Sequence, residues 1–319
     1  MKPVFHSTRD YHLYGLRTLG WELTVCNTLS TEGSPCRNIL AKNGSYGQLL
    51  YDFLGRFMPI QDFRHIIEIG GGYGHLMRDF LGMQPGLSAT MLDLSPVLLE
   101  KQRCTLHEYG AEFIHADFLE IDASLLQRFD LAILNENLGD FPAMLNIGQT
   151  FFDSHSVLDG NAALKCVLDF FQRYELDRPA GESFNCNLGA MEAVEKVCRS
   201  GIPYIFLSEH SCEAVVPEHL TPFLRIESCG NPEKIGLYGH DEYTLAFTPL
   251  QKIAEQLGYR TIRGPLADFI EIAFTDRIKL VLRSRLSSND EQEIIRHFIE
   301  DLYKYEYLIL IKEAGRQAF

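Results

Sequence analysis

From Arg64 onward, short and nearly continuous apolar runs alternate with segments of helical periodicity. The pattern predicts strands over 65–69, 89–93, 113–116 and 130–134, and helices over 73–81 and 96–109, the second with Ser95 as N-cap and Pro96 in its first turn. Later strands are expected over 203–207, 259–263 and 306–312, with a helix over 249–257 ended by Gly258. Apolar runs without polar alternation belong to strands buried on both faces, so the expectation is a parallel, doubly wound α/β sheet.

Before Arg64 the pattern is irregular. Turn residues cluster at 31–35 and 42–45, and one amphipathic helix is expected over 46–57. The stretch 141–200 is longer than one crossover helix needs and is expected to carry added helices. The stretch 264–305 reads as a second insertion. It holds a capping-box pattern at 288–291 and a helix with Ile294, Ile295, Phe298, Ile299 and Leu302 on one face. The domain reading is an N-terminal cap (1–60) on one α/β domain (61–319).

Composition narrows the partners. The chain has 319 residues and a formal charge of −14, from 29 Lys and Arg against 43 Asp and Glu. Nucleic acid recruits basic side chains to displace counterions, so it is not expected here, whereas a basic acceptor is. Residues 276–319 carry eight basic and eight acidic side chains, which leaves the acidic excess in 1–275 with the motifs below. No apolar run approaches the roughly 18 residues of a spanning helix, and the first residues carry no apolar signal core. The expected address is cytoplasmic, with no membrane partner. Eight scattered cysteines have no paired zinc-type spacing and are expected to be mostly buried, reduced thiols. No metal is expected, including at the Glu209-His210-Ser211-Cys212-Glu213 cluster with His219.

The chemistry-bearing stretch is Glu68-Ile69-Gly70-Gly71-Gly72-Tyr73-Gly74-His75-Leu76, where an apolar strand runs through three spaced glycines into a helix. Free N–H groups at a helix start favour an anionic group. A dinucleotide fingerprint would place His75 at its third glycine, so that reading fails. The spacing instead resembles motif I of class I S-adenosylmethionine-dependent methyltransferases. That resemblance implies that Gly70, Gly72 and Gly74 lie against the methionine half of the cofactor and that Glu68 orients its amino group. Asp93 ends the second strand, where a carboxylate can accept from both ribose hydroxyls. Asp117 follows the third and could accept from the adenine amino group, with Phe118 packing on the ring. Taken singly, Asp93 could be a helix-capping turn and Asp117 a loop acid. His115 is expected beneath the cofactor.

The fourth strand ends in Asn135-Glu136-Asn137-Leu138-Gly139-Asp140-Phe141-Pro142. Together with the glycine stretch and Ser95-Pro96 to Gln102, this is similar to the MidA family of class I methyltransferases, which includes a mitochondrial complex I assembly methyltransferase. The family patterns are E-x-G-x-G-x-G-x-L, S-P-x-L-x-x-x-Q and N-E-x-x-D-A-[LF]-P. Weaker similarities are His240-Asp241-Glu242-Tyr243-Thr244 and Ala267-Asp268-Phe269-Ile270. The resemblance implies a seven-stranded, mostly parallel Rossmann-like sheet and methyl transfer to an arginine guanidinium of a protein. Glu136 and Asp140 are then the candidate catalytic acids, with Asn135 beside the cofactor and Glu209 and His210 as second choices. The family's acid falls on Gly139 here, with Asp140 one place later. Asn135 and Asp140 could instead cap the following segment. A small-molecule N- or O-methyltransferase and a non-catalytic cofactor-binding assembly factor are the alternatives.

Overall fold

In a computed structural model, which describes residues 2–17, 24–152, 161–224, 226–284 and 290–313, the apolar runs pair into one seven-stranded sheet. Strand β1 (Val4–His6) and helices α1 (Val25–Thr28) and α2 (Tyr46–Leu54) come first. The core then runs through β2 (His65–Ile69), α3 (His75–Met83), β3 (Ser88–Asp93), α4 (Pro96–Thr105), β4 (Glu112–His115) and β5 (Leu131–Asn135). Next are β6 (Ala143–Gly148), α5 (Ala162–Arg173), β7 (Ser183–Cys186), α6 (Leu188–Ser200) and β8 (Tyr204–His210). The chain continues with β9 (Lys234–Gly236), β10 (Asp241–Tyr243), α7 (Phe247–Gln256), β11 (Tyr259–Pro265), α8 (Asp276–Arg283), α9 (Asp290–Lys304) and β12 (Tyr305–Lys312).

The sheet order is β11-β12-β8-β5-β2-β3-β4. Strands β8, β5, β2, β3 and β4 are parallel, and β12 runs antiparallel to both β8 and β11. The period of two sends Ile66, Leu131, Ile133 and Phe206 into one core, with α2, α3 and α9. Ile67, Ala132, Leu134 and Ile205 go into the other, with α5, α6 and α7. Burial on both faces explains why these strands read as unbroken apolar runs. The chain builds outward from β2 through β3 to β4, then returns to β5 on the other side of β2. This reversal opens a crevice beyond the carboxyl ends of β2 and β5, where the glycine turn and Asn135 lie.

Several expectations change. The stretch 141–200 contains strands as well as helices: β6 pairs with β1 and β7 in an antiparallel three-stranded sheet, with Val4 opposite Leu145. Such short strands are set by partners far away in sequence, so local periodicity does not reveal them. Helix α3 begins at His75 rather than Tyr73, because Gly74 (φ +80°) is its N-cap. Helix α9 buries Ile295, Phe298, Ile299 and Leu302 as expected, but Ile294 is exposed. Of its expected capping box, Ser288 and Asn289 lie outside the described residues. All eight cysteines are free; Cys36, Cys186, Cys198 and Cys212 are buried, and Cys104 and Cys229 are exposed. Among the described residues, no helix is long and apolar enough to cross a membrane.

Candidate active site

The glycine turn is forced by its backbone. Gly70 has φ +63°, and a Cβ there would come within 2.5 Å of Asn137 Nδ2. Gly72 lies at φ +52°. Gly71 is equally confined, since a Cβ would meet Met91 Cε at 2.4 Å. The need for glycine thus comes from the protein's own packing as well as from room for a ligand. Helix α3 has no side-chain cap, so its first-turn amides remain available to an anionic group.

Beside this turn a cavity is lined by Glu68, Asp93, Asp117, Phe118, Asn135, Glu136 and Asp140, so seven of the sequence candidates share one wall system with Gly70 and Gly72, while Gly74 lies outside the lining. Glu68 is 2% exposed, and its Oε2 is buried without a hydrogen-bond partner. Burial, with Asp93 and Asp79 adding like charge, pushes its carboxyl up to about 8. Asp93 Oδ1 accepts from the Ser95 amide at 2.8 Å, and Oδ2 accepts from Gln102 Nε2 at 2.7 Å. The capping reading of Asp93 is therefore real, yet a carboxylate has about four lone-pair sites and two remain. Burial raises the Asp93 carboxyl to about 6. Gln102 also donates to Gly72 O at 3.1 Å, which ties the helix after β3 to the glycine turn.

Asp117 likewise does two jobs, accepting from the Leu119 amide at 3.0 Å and from Arg9 Nε at 3.0 Å. Phe118 is buried, edge-on to Phe141. His115 corrects an expectation. It is exposed, with Nε2 3.0 Å from Leu94 O, and does not lie under the cavity.

Asn135 and Glu136 are held largely by residues that precede the sheet in sequence. Tyr46 Oη donates to Asn135 Oδ1 at 2.5 Å, and Ser208 Oγ donates to it at 2.8 Å. The Val25 and Cys26 amides donate to Glu136 Oε2 and Oε1 at 2.9 and 3.1 Å, at the start of α1. Glu136 sits at φ +53°, a left-handed conformation costly for a residue with a side chain. Burial pushes its carboxyl up to about 7, against the pull of those two amides.

Asp140 stands between two imidazoles, its Oδ1 2.9 Å from His12 Nε2 and 3.3 Å from His240 Nε2. Burial works against its charge, yet the two rings hold its carboxyl well below the ordinary range. Burial also opposes charge on His240, but Asp140 and Glu242 raise that ring to about 10. His12 and Asp140 line the cavity with Thr8 and Arg9, so the first described segment forms part of its wall. No spacing rule links His12, Asp140 and His240 in sequence; only the fold brings them together. The second-choice acids behave differently. Glu209 accepts from the Gly139 amide at 2.9 Å and the His210 amide at 2.8 Å, and His210 stacks on Tyr305; neither lines the cavity. A Cβ on Gly139 would lie 3.1 Å from Tyr243 O, a tight contact.

No family model matches the sequence, and no curated relative matches it. An uncharacterized protein from Burkholderia thailandensis is similar over 92% of this chain and 87% of its own, with a TM-score of 0.53 and 14% identity. A likely methyl transferase from the same organism, bound to S-adenosyl-homocysteine, is similar over 86% of this chain and 78% of its own, with a TM-score of 0.49 and 14% identity. An O-methyltransferase family protein from Burkholderia thailandensis is similar over 85% of this chain, with a TM-score of 0.42 and 15% identity. The chain spans 57% of that protein's length. At these identities the likeness concerns the fold, which is the doubly wound, Rossmann-like fold of class I methyltransferases.

Proposed function

We propose that this chain is an S-adenosylmethionine-dependent methyltransferase of MidA-like type. The observation that carries the reading is Glu68: a buried carboxylate oxygen with no partner, beside a glycine turn at the sheet's reversal point, is suited to a cationic amino group. Gly70, Gly72 and Gly74 would hold the methionine part, Asp93 the ribose, and Asp117 with Phe118 the adenine. Asn135 would line the floor. The bound cofactor supplies the activated methyl group and a thioether leaving group. The residues Ser7, Thr8, Arg9 and His12 line the cavity and would help to keep water from it.

The finer expectation is transfer to an arginine guanidinium, a poor nucleophile that wants two carboxylates to orient it and disperse charge. Glu136 is committed to the α1 amides, which leaves Asp140 between its histidines as the acid at the acceptor end. We therefore rank a small nitrogen or oxygen acceptor ahead of the guanidinium. Purified protein incubated with methyl-labelled cofactor and a cell extract decides between them: label entering the small-molecule fraction supports this ranking, and label entering protein reverses it. Label entering neither, with cofactor still bound, favours an assembly factor without turnover.

The cofactor assignment has its own test. Titration calorimetry is expected to show S-adenosylmethionine binding that Asp93→Ala weakens roughly tenfold or more, since a charge-assisted pair of hydrogen bonds is lost. Binding unaffected by that substitution would remove the ribose assignment. Bound cofactor or its demethylated product in mass spectra of the purified protein would support it directly.

A further inference from the structure

We propose that His12, Asp140 and His240 form a binding site for a divalent transition-metal ion, with an open coordination position facing the cavity. Each residue offers one donor atom, and the three atoms lie within 4.8 Å of one another. They come from three separate segments: the five-residue π-helical turn Tyr11–Gly15, the short turn Leu138–Asp140 beyond β5, and the residue before β10.

The separations suit a bound ion. Ligands about 2.0–2.1 Å from a zinc-sized ion, at angles between square and tetrahedral, stand roughly 2.9–3.4 Å apart. The two measured separations are 2.9 and 3.3 Å. A histidine nitrogen 2.9 Å from a carboxylate oxygen would ordinarily share a proton with it. Here His12 Nε2 and Asp140 Oδ1 are both buried and neither meets the angular geometry of a hydrogen bond with any partner. His240 Nε2 is within hydrogen-bond distance of a second carboxylate oxygen, Glu242 Oε1, at 3.2 Å, a contact that an ion would replace, so the donor set is two imidazole nitrogens with the Asp140 carboxylate and Glu242 beside it. Tyr11 stacks on the His240 ring at 4.2 Å and 17°, which holds the ring's orientation.

This donor set lacks thiolate and suits zinc, cobalt, manganese or iron in the divalent state. Three protein ligands with one exchangeable position is the arrangement of reactive rather than structural zinc sites. His12 and Asp140 line the cavity, whereas the His240 side chain is only 5% exposed, so the free position faces the cavity. The ligand class for that position is an oxygen donor: water at rest, and a hydroxyl or carboxylate of the acceptor during turnover, the second half resting on the methyltransferase reading. Asp140 would then act through the ion rather than on a guanidinium.

The test is cobalt(II) binding to the full chain after chelator dialysis, read by visible absorption and by competition with zinc. One equivalent of cobalt is expected to bind and to be displaced by zinc. His12→Ala and His240→Ala are each expected to weaken binding at least about tenfold, while His219→Ala, at an exposed position, leaves it unchanged. Asp140→Asn preserves the shape of the side chain and tests the same point if the histidine variants fold poorly. Absence of stoichiometric binding, or binding undiminished in Asp140→Asn and both histidine variants, overturns the proposal. The readout is independent of methyl transfer: protein that binds cobalt but no S-adenosylmethionine would sink the methyltransferase reading and leave the metal site, and the reverse result would do the opposite.

Discussion

Glu68 shows how one residue links folding to ligand binding. Its carboxyl, raised by burial to about 8, holds a proton in the folded chain over a pH range in which the unfolded chain has lost it. Its contribution to stability is therefore present below about pH 4.5 and is lost as pH rises through 8. Glu68→Gln is expected to stabilise the ligand-free protein at pH 8.5 more than at pH 5, which paired urea melts would read. A cationic ligand group reverses the preference by favouring the carboxylate. Affinity for S-adenosylmethionine should then rise between pH 6 and 8.5, with proton release visible as a buffer-dependent binding enthalpy. Glu68→Gln should flatten that rise.

At the scale of elements, side chains that resemble catalytic groups turn out to hold segments in place. Glu136 satisfies two amides at the start of α1, where Thr24 accepts from Asn27 as a second cap. Glu136→Ala leaves buried donors unpaired and is expected to cost about 1–3 kcal/mol in a urea melt, with Glu136→Gln costing less because an acceptor oxygen remains. Lys196 of α6 plays a comparable part on the other side. Its Nζ donates to the carbonyls of Phe118, Leu119 and Ile121 at 3.1, 2.6 and 2.7 Å, fixing the loop after β4. Lys196→Met is expected to weaken cofactor binding several-fold while leaving the melting temperature within a few degrees, because it loosens the Asp117–Phe118 corner without entering the cavity.

On the scale of the whole molecule, the N-terminal segment joins two structures. β1 extends the small sheet through β6, His6 Nε2 lies 2.8 Å from Asp241 O, Thr8 Oγ1 donates to Asp140 O at 2.8 Å, and Arg9 pairs with Asp117. Thr8, Arg9, Asp117 and Asp140 line the cavity, and none of these contacts involves pairing with the seven-stranded sheet. Removing residues 1–17 is expected to retain the far-ultraviolet circular dichroism of the α/β core and to speed release of bound cofactor, measured by stopped flow. Collapse of the core on truncation would mean that the cap supports the fold as well as the site.

Much of this was legible in linear form, and the boundary has a physical cause. Continuous apolar runs can be satisfied only by strands covered on both faces, and spaced glycines mark where backbone leaves a strand at positive φ. The parallel sheet, the glycine turn and the strand-end acids Asp93 and Asp117 were therefore determined by local sequence. Periodicity does not determine what a polar side chain meets. Glu136 reads as a free acid until α1 folds against it, and β1 reads as irregular until β6 arrives as its partner. The grouping of His12, Asp140 and His240 was decided only in three dimensions, because it depends on how the cap and the β9–β10 hairpin close over the end of β5. Sequence determined which residues must be buried and where the chain must turn. Tertiary structure decided which distant polar groups share one small space.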